Sequence, residues 1–253
     1  MIYIGNVPLD HQIPKICVPL VAKTLEALQE ECQYLQGCLY DVVEFRADFL
    51  QHLTRQGVMT AALSAIRRVL PDSPLLVTVR TAAEGGEISI SADAYAALLR
   101  QALQSGMIDA LDIEYVQQAD VIEPVIRLAK EKGVPIIMSS HDFQKTPPFE
   151  ELTKRLLAMK KRGADVAKLA CMPQCADDVL TLLRATAHVK SLYPDEPLIT
   201  MSMGHLGVVS RISGEIFGSA MTFGAARKAS APGQLEVSAL QHILQVLHGA
   251  PQQ

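Results

Sequence analysis

The chain of 253 residues reads as an α/β protein, a single (β/α)8 TIM barrel with a short N-terminal hairpin. Three features predict it. Eight short runs rich in β-branched residues, starting at 16, 42, 75, 110, 135, 166, 198 and 220, alternate with longer amphipathic segments. Their starts lie 22 to 35 residues apart, which suits one strand–helix unit per interval, and eight units are what closing such a barrel takes. The rival open, doubly wound sheet advertises a glycine-rich turn after its first strand, and none follows residues 16–21.

In chain order the strands are ICVPLV (16–21), VVEFRA (42–47), LLVTVR (75–80) and ALDIEY (110–115), then PIIMSS (135–140), VAKLAC (166–171), LITMSM (198–203) and AMTFGA (220–225). Helical patterns lie between them, such as TLEALQEECQYL, ADAYAALLRQAL and DDVLTLLRATAHVK, with VSALQHILQVL at the end. Pro71, Pro74, Pro135 and Pro197 fall in or near the punctuation before strands, where a missing N–H does little harm. Residues 1–15, with Tyr3 and Ile4, are left over and suit a hairpin closing the barrel floor. No linker or shift of composition divides the chain, so 1–253 is expected to be one domain.

Composition narrows the function. With 49% hydrophobic and 20% charged residues and a mean hydropathy of +0.18, the chain can bury a large core. A net charge of -4 and an isoelectric point near 6.0 leave no basic footprint for nucleic acid. The absence of Trp removes the commonest stacking platform. No apolar run reaches the ~18 residues a membrane helix needs, and the N-terminus MIYIGNVPLD does not read as a secretory signal. The five cysteines are odd in number and irregular in spacing, and the Cys171–Cys175 pair has no second pair beside it. Reduced thiols, no metal site and a cytoplasmic location are the expectation.

In a barrel of this kind chemistry gathers at the C-terminal ends of the strands. Glu44, Arg46 and Asp48 share one face of the second strand, opposite Val43, Phe45 and Ala47, so the charged set points into the lumen. Buried charges must pair with one another or with a polar ligand; a structural ion-pair ladder is the alternative to a binding pocket. Arg80 ends the third strand before TAAEGGE, and Asp112 with Glu114 shares a face of the fourth. Such a lumen suits a small, oxygen-rich anion.

Lys168 stands in V-A-K-L-A-C, an apolar strand context. It is either a lysine paired with an interior carboxylate or a Schiff-base nucleophile. Burial and neighbouring cations disfavour an ammonium and free the amine to attack a ketone, and Arg46, Arg80 and Arg211 are the cations available. His141 lies just past the fifth strand, on the neighbour of the strand carrying Lys168, and suits a group that takes one proton and returns another. Asp142 and Glu84 are candidates to orient it. His11, His52, His188, His205, His242 and His248 read as surface or structural. Met201, Met203 and Phe223 form an apolar pocket wall, and residues 226–236, rich in Ser, Ala, Pro and Gly, read as a lid or a solvated connection.

These residues fall in ordered blocks: DVVEFRAD (41–48), TVRTAAEGGE (78–87), DIE (112–114), SSHDF (139–143), KLACMP (168–173), TMSMG (200–204), SRISGEIFGS (210–219) and TFGAARKASAPGQL (222–235). Over nearly its full length the chain resembles the type I 3-dehydroquinate dehydratase family. The resemblance implies a homodimeric lyase without metal or organic cofactor that dehydrates 3-dehydroquinate to 3-dehydroshikimate. It implies Lys168 as the imine-forming nucleophile, His141 as general acid and base, and Glu84 as the group that orients or tunes His141. It further implies that Arg211, Ser230 and Gln234 bind the substrate carboxylate and nearby oxygens, while Glu44, Arg46 and Arg80 hold ring hydroxyls and the charge network. Pro19, where a Ser is common, and Gly204-His205-Leu206-Gly207 depart from the family pattern. The competing readings are another imine-forming barrel of the class I aldolase type and a non-catalytic module that senses quinate-like metabolites.

Overall fold

The structure, a computed structural model, describes residues 1–10, 12–227 and 229–250. The readings made for His11 and for Lys228 within the last loop lie outside the described residues. Eight parallel strands form the ring: β3 (Lys15–Leu20), β4 (Val42–Arg46), β5 (Leu75–Thr78), β6 (Ala110–Glu114), β7 (Ile136–Asp142), β8 (Val166–Cys171), β9 (Leu198–Ser202) and β10 (Met221–Ala225). All eight fall within two residues of their expected bounds, because the branched side chains that mark them in sequence are the ones that fill the two faces of the sheet.

Neighbouring strands pair in chain order from β3 to β9, and β10 pairs with β3 through Met221–Lys15, Thr222–Ile16 and Phe223–Cys17. A bridge between Leu198 and Ser219 closes the ring between β9 and β10, where the Ala220 N–H donates to the Leu198 carbonyl at 2.8 Å. Outside the ring the short β11 (Leu235–Glu236) lies parallel to β10.

Helices α1 (Leu25–Leu35), α2 (Val58–Val69), α3 (Ala92–Ser105), α4 (Ala119–Glu131), α5 (Phe149–Lys161) and α6 (Ala176–Leu192) each follow one strand, and α9 (Val237–His248) ends the chain of elements. Two short helices, α7 (Val208–Ile212) and α8 (Gly214–Phe217), stand between β9 and β10. Thr24 and Ser91 accept N–H bonds from Ala27 and Ala94 at the starts of α1 and α3, satisfying amides that a helix leaves free. Outward residues such as Val43, Phe45 and Val77 pack with helix residues such as Leu28, Leu63 and Leu99 to form the main core.

The lower half of the lumen is apolar, filled by Cys17, Val42, Leu76, Ile137, Val166 and Ile199. The hairpin of β1 (Ile2–Ile4) and β2 (Val7–Leu9) presses fully buried Ile4 and nearly buried Leu9 into the same cluster, stopping the N-terminal end of the barrel. A recurring device seats the strand starts. Asp41, Asp109 and Asp165, each just before a strand, accept the N–H of Ile16, Leu75 and Ile136 on the preceding strand at 2.7, 2.8 and 2.8 Å. Among the described residues, no helix is long and apolar enough to cross a membrane.

Candidate active site

At the C-terminal ends of the strands the apolar filling stops and polar side chains take over. They surround a cavity of about 460 Å³, counted with its open mouth. It is lined by Glu44, Arg46, Arg80, Glu84, Gly85, His141, Phe143, Lys168, Ala170, Met201, Met203, Phe223, Ser230, Ala231 and Gln234.

The β8 alternation turns Lys168 inward, and its register places it beside Ser139 on β7 and Ile199 on β9. Its Nζ lies 3.3 Å from Asp112 Oδ2, 3.6 Å from Glu44 Oε1 and 4.4 Å from the centre of the Phe223 ring. The amine is therefore both paired with carboxylates and placed in the wall of the cavity. The arginines expected to press on it are engaged elsewhere. Arg46 forms a two-pronged pair with Asp48 at 2.9 and 2.8 Å. Arg80 holds Asp112 at 2.8 Å, Glu114 at 3.2 Å and Glu84 at 3.3 Å, and donates to Ser139 Oγ at 2.9 Å.

Every carboxylate in this network has a partner, as burial requires. Thr78 Oγ1 donates to Glu44 Oε1 at 2.8 Å, Ser139 Oγ donates to Asp112 Oδ1 at 2.6 Å, and Thr81 supplies both its N–H and its hydroxyl to Glu114. Burial alone would raise the Asp112 carboxyl, but Arg80 and then Lys168 outweigh it and hold the group below its ordinary range. Burial likewise opposes charge on Arg80, and Asp112, Glu84 and Glu114 overcome it and keep the guanidinium protonated.

Glu84 and His141 form the second centre. His141 Nδ1 lies 2.9 Å from Glu84 Oε2, and the imidazole side chain is 11% exposed. Burial, then the positive charges of Arg80, Lys168 and Arg46, hold the imidazole well below the ordinary histidine value and so favour the neutral ring. Burial pushes Glu84 the other way, to about 8; Arg80 opposes the rise, and Glu114 and Asp112 add to it. Asp142, the other candidate to orient His141, does not do so. Its carboxylate turns into the following loop and accepts the N–H groups of Gln144 and Lys145.

Arg211 is 1% exposed and has no carboxylate partner among the described residues. Burial lowers its guanidinium to about 10. Its Nη2 donates to the Pro232 carbonyl at 2.9 Å, its Nη1 lies 3.8 Å from Met201 Sδ, and its Nε is buried without a partner. It does not line the cavity; Met201, which does, stands against it. The last loop reaches the same place. Ser230 N–H donates to Gln234 Oε1 at 2.8 Å and Gln234 Nε2 donates to Ser230 Oγ at 3.0 Å. Gly204 N–H donates to the Pro232 carbonyl at 3.2 Å. Gly233, at φ +78°, lies so near Gly204 that a Cβ there would stand 2.3 Å from its carbonyl oxygen.

The structure thus brings Lys168, His141, Glu84, Glu44, Arg46, Arg80, Ser230, Gln234, Met201, Met203 and Phe223 to one cavity and leaves Arg211 one side chain away. Pro19 lies outside it, and the Gly204-His205-Leu206-Gly207 stretch is where the last loop docks. Sequence reasoning missed Gly85, Phe143, Ala170 and Ala231 as lining residues; Ala170 stands two positions after Lys168 on β8, hence on the same face, whereas Phe143 lies just past the end of β7. Among the described residues no three His, Cys, Asp or Glu side chains gather as a metal site. An amine and a carboxylate–imidazole couple at one cavity, with a buried guanidinium one side chain away that has no carboxylate partner among the described residues, suit an anionic carbonyl compound whose carbonyl is captured and whose neighbouring protons are moved.

Known proteins resemble the chain in sequence and in fold. A family model described as type I 3-dehydroquinase matches residues 16–251. The chain is 47% identical to the 3-dehydroquinate dehydratase of Clostridium novyi over 97% of each chain. It is 48% identical to that of Listeria monocytogenes serotype 4a over 98% of each. Among solved structures it is similar to the type I 3-dehydroquinate dehydratase of Clostridium difficile with covalently modified comenic acid, at a TM-score of 0.95 and 41% identity over 99% of this chain and 98% of that one. The Enterococcus faecalis enzyme matches at a TM-score of 0.91 and 39% identity over 97% of this chain and 99% of that one. The chain belongs to the type I 3-dehydroquinase family.

Proposed function

We propose that the protein is a hydro-lyase that converts 3-dehydroquinate to 3-dehydroshikimate, a step of the shikimate pathway, through an imine on Lys168. The observation that carries this reading is the pair of neighbouring strands β7 and β8, which present His141 and Lys168 to one cavity with Glu84 hydrogen-bonded behind His141. The family relationship supplies the substrate, and the covalently modified ligand in the C. difficile relative supports covalent chemistry.

The amine gives up a proton, adds to the substrate ketone and, as water leaves, forms a protonated imine. That iminium is an electron sink, so the steps balance without a metal or organic cofactor. The imidazole of His141 removes a proton from the carbon beside the imine and leaves an enamine. Electrons returning from the enamine nitrogen expel the hydroxyl one carbon further on, and His141 gives that hydroxyl its proton, so that it departs as water. Hydrolysis then releases product and restores the amine. Glu84 fixes the imidazole by its bond to Nδ1.

Arg211, with Ser230 and Gln234, binds the substrate carboxylate; a buried guanidinium without a counter-ion is suited to an anion. Met201 lies between, and its flexible unbranched side chain can yield. Glu44 and Arg46 face the ring hydroxyls, and Arg80 maintains the charge network. The reading includes a homodimer, carried over from the family resemblance, and a cytoplasmic setting, expected from the cysteine pattern, with residues 1–253 as one domain and 226–236 as a lid. Borohydride added with 3-dehydroquinate is expected to leave a stable adduct on the peptide holding Lys168, and none on a Lys168→Ala variant. An adduct on any other peptide, or none on the native protein, overturns the reading.

A further inference from the structure

Phe143 is the one exposed large apolar side chain among the described residues that also lines the cavity, at 36% exposure. It stands two residues beyond His141, with its ring nearly parallel to the imidazole: the planes are 21° apart and the centres 6.4 Å. The residue after Glu84 makes room for it. Gly85 ends the 3-10 turn Ala82–Glu84 at φ +78°, and a Cβ there would lie 2.3 Å from Phe143 Cε2. Phe143 therefore reaches from the His141 side of the hydrogen-bonded couple to the backbone just past Glu84.

The groups around His141 are otherwise charged. Glu84 sits on Nδ1, and Arg80 from the end of β5, Lys168 from β8 and Arg46 from β4 act on the ring. Asp112 and Glu114 from β6 act on Glu84, and Asp142 is turned into its own loop. Water admitted among them would screen these fields and compete for the Glu84–His141 bond.

We propose that Phe143 is a positioning residue whose ring, seated on Gly85, keeps water from the Glu84–His141 couple and fixes the imidazole plane for proton transfer. The proposal deepens the reading of His141 as the acid–base group and rests on it.

Phe143→Ala and Phe143→Leu test it, with steady-state rates, borohydride trapping and an NMR titration of the His141 imidazole. Phe143→Ala is expected to lose about tenfold or more in kcat, part of the ~10²–10⁴ a positioned acid–base group contributes. KM should change less, and the adduct should still form. The His141 titration should move up toward the ordinary ~6.5, because solvent again stabilises the charged ring. Phe143→Leu should recover most of both. A Phe143→Ala protein with native kcat, or with lowered kcat but an unmoved His141 titration, overturns the proposal. If the native protein gives no adduct with 3-dehydroquinate, the functional reading fails, whereas the titration, which needs no substrate, still decides the role of Phe143.

Discussion

Asp112 Oδ2 lies 3.3 Å from Lys168 Nζ, and the other oxygen of that carboxylate belongs to Arg80 at 2.8 Å. One side chain from β6 thus ties the amine on β8 to the guanidinium beyond β5, across the dry middle of the ring. The arginines do not crowd the amine; a carboxylate stands between.

Removing that carboxylate leaves two buried cations facing each other. Asp112→Ala is expected to cost about 3–5 kcal/mol, the usual penalty for breaking a buried pair. For a chain of this size the midpoint of thermal unfolding should fall on the order of 10 °C. A melt matching the native protein would show that water or a rearranged Glu44 replaces Asp112 at little cost.

In the proposed mechanism His141 chiefly moves the proton beside the imine, so its loss is expected to separate capture from proton transfer. His141→Ala should still be trapped on Lys168 by borohydride while turnover slows roughly 10²–10⁴-fold. Near-native turnover would remove the imidazole from the mechanism.

Glu84 links the site to the pH dependence of folding. Its folded value of about 8 lies above the ordinary 4.5. Its contribution to stability is whole below the ordinary value and drains away as pH climbs toward 8, because the unfolded chain ionises first. Glu84→Gln removes that loss. Melting temperatures measured from pH 5 to 8 should show the variant gaining on the native protein as pH rises; parallel curves would mean that Glu84 ionises alike in both states.

Gly233 fixes how the last loop meets the mouth. Alanine there would be strained at φ +78° and would collide with the Gly204 carbonyl. Gly233→Ala should lift Ser230 and Gln234 away and raise KM about tenfold, equivalent to ~1.4 kcal/mol. Thermal stability should barely change. An unchanged KM would show that loop docking contributes nothing to substrate binding.

The ring of strands was legible in the sequence because alternation and spacing are properties of the chain itself. The lumen charges were legible for the same reason: Glu44 and Arg46 are polar where strand neighbours are apolar. Which charge meets which was not. Arg80 is adjacent in sequence to none of Glu84, Asp112 and Glu114, yet it holds all three, because strand register and ring curvature decide the matter. Asp142 was as good a candidate as Glu84 by chain position and lost because the turn after β7 needed its oxygen. Arg211 was placed after the seventh strand, where α7 carries it, but no pattern in the chain announces that Met201 stands in front of it.

The Ile4–Leu9 hairpin corks the far end of the barrel. Among the described residues the cavity lies at the opposite end, where arriving and departing molecules would share one mouth. In the proposed function, product still held in the cavity excludes the next substrate, so it should inhibit in a purely competitive pattern.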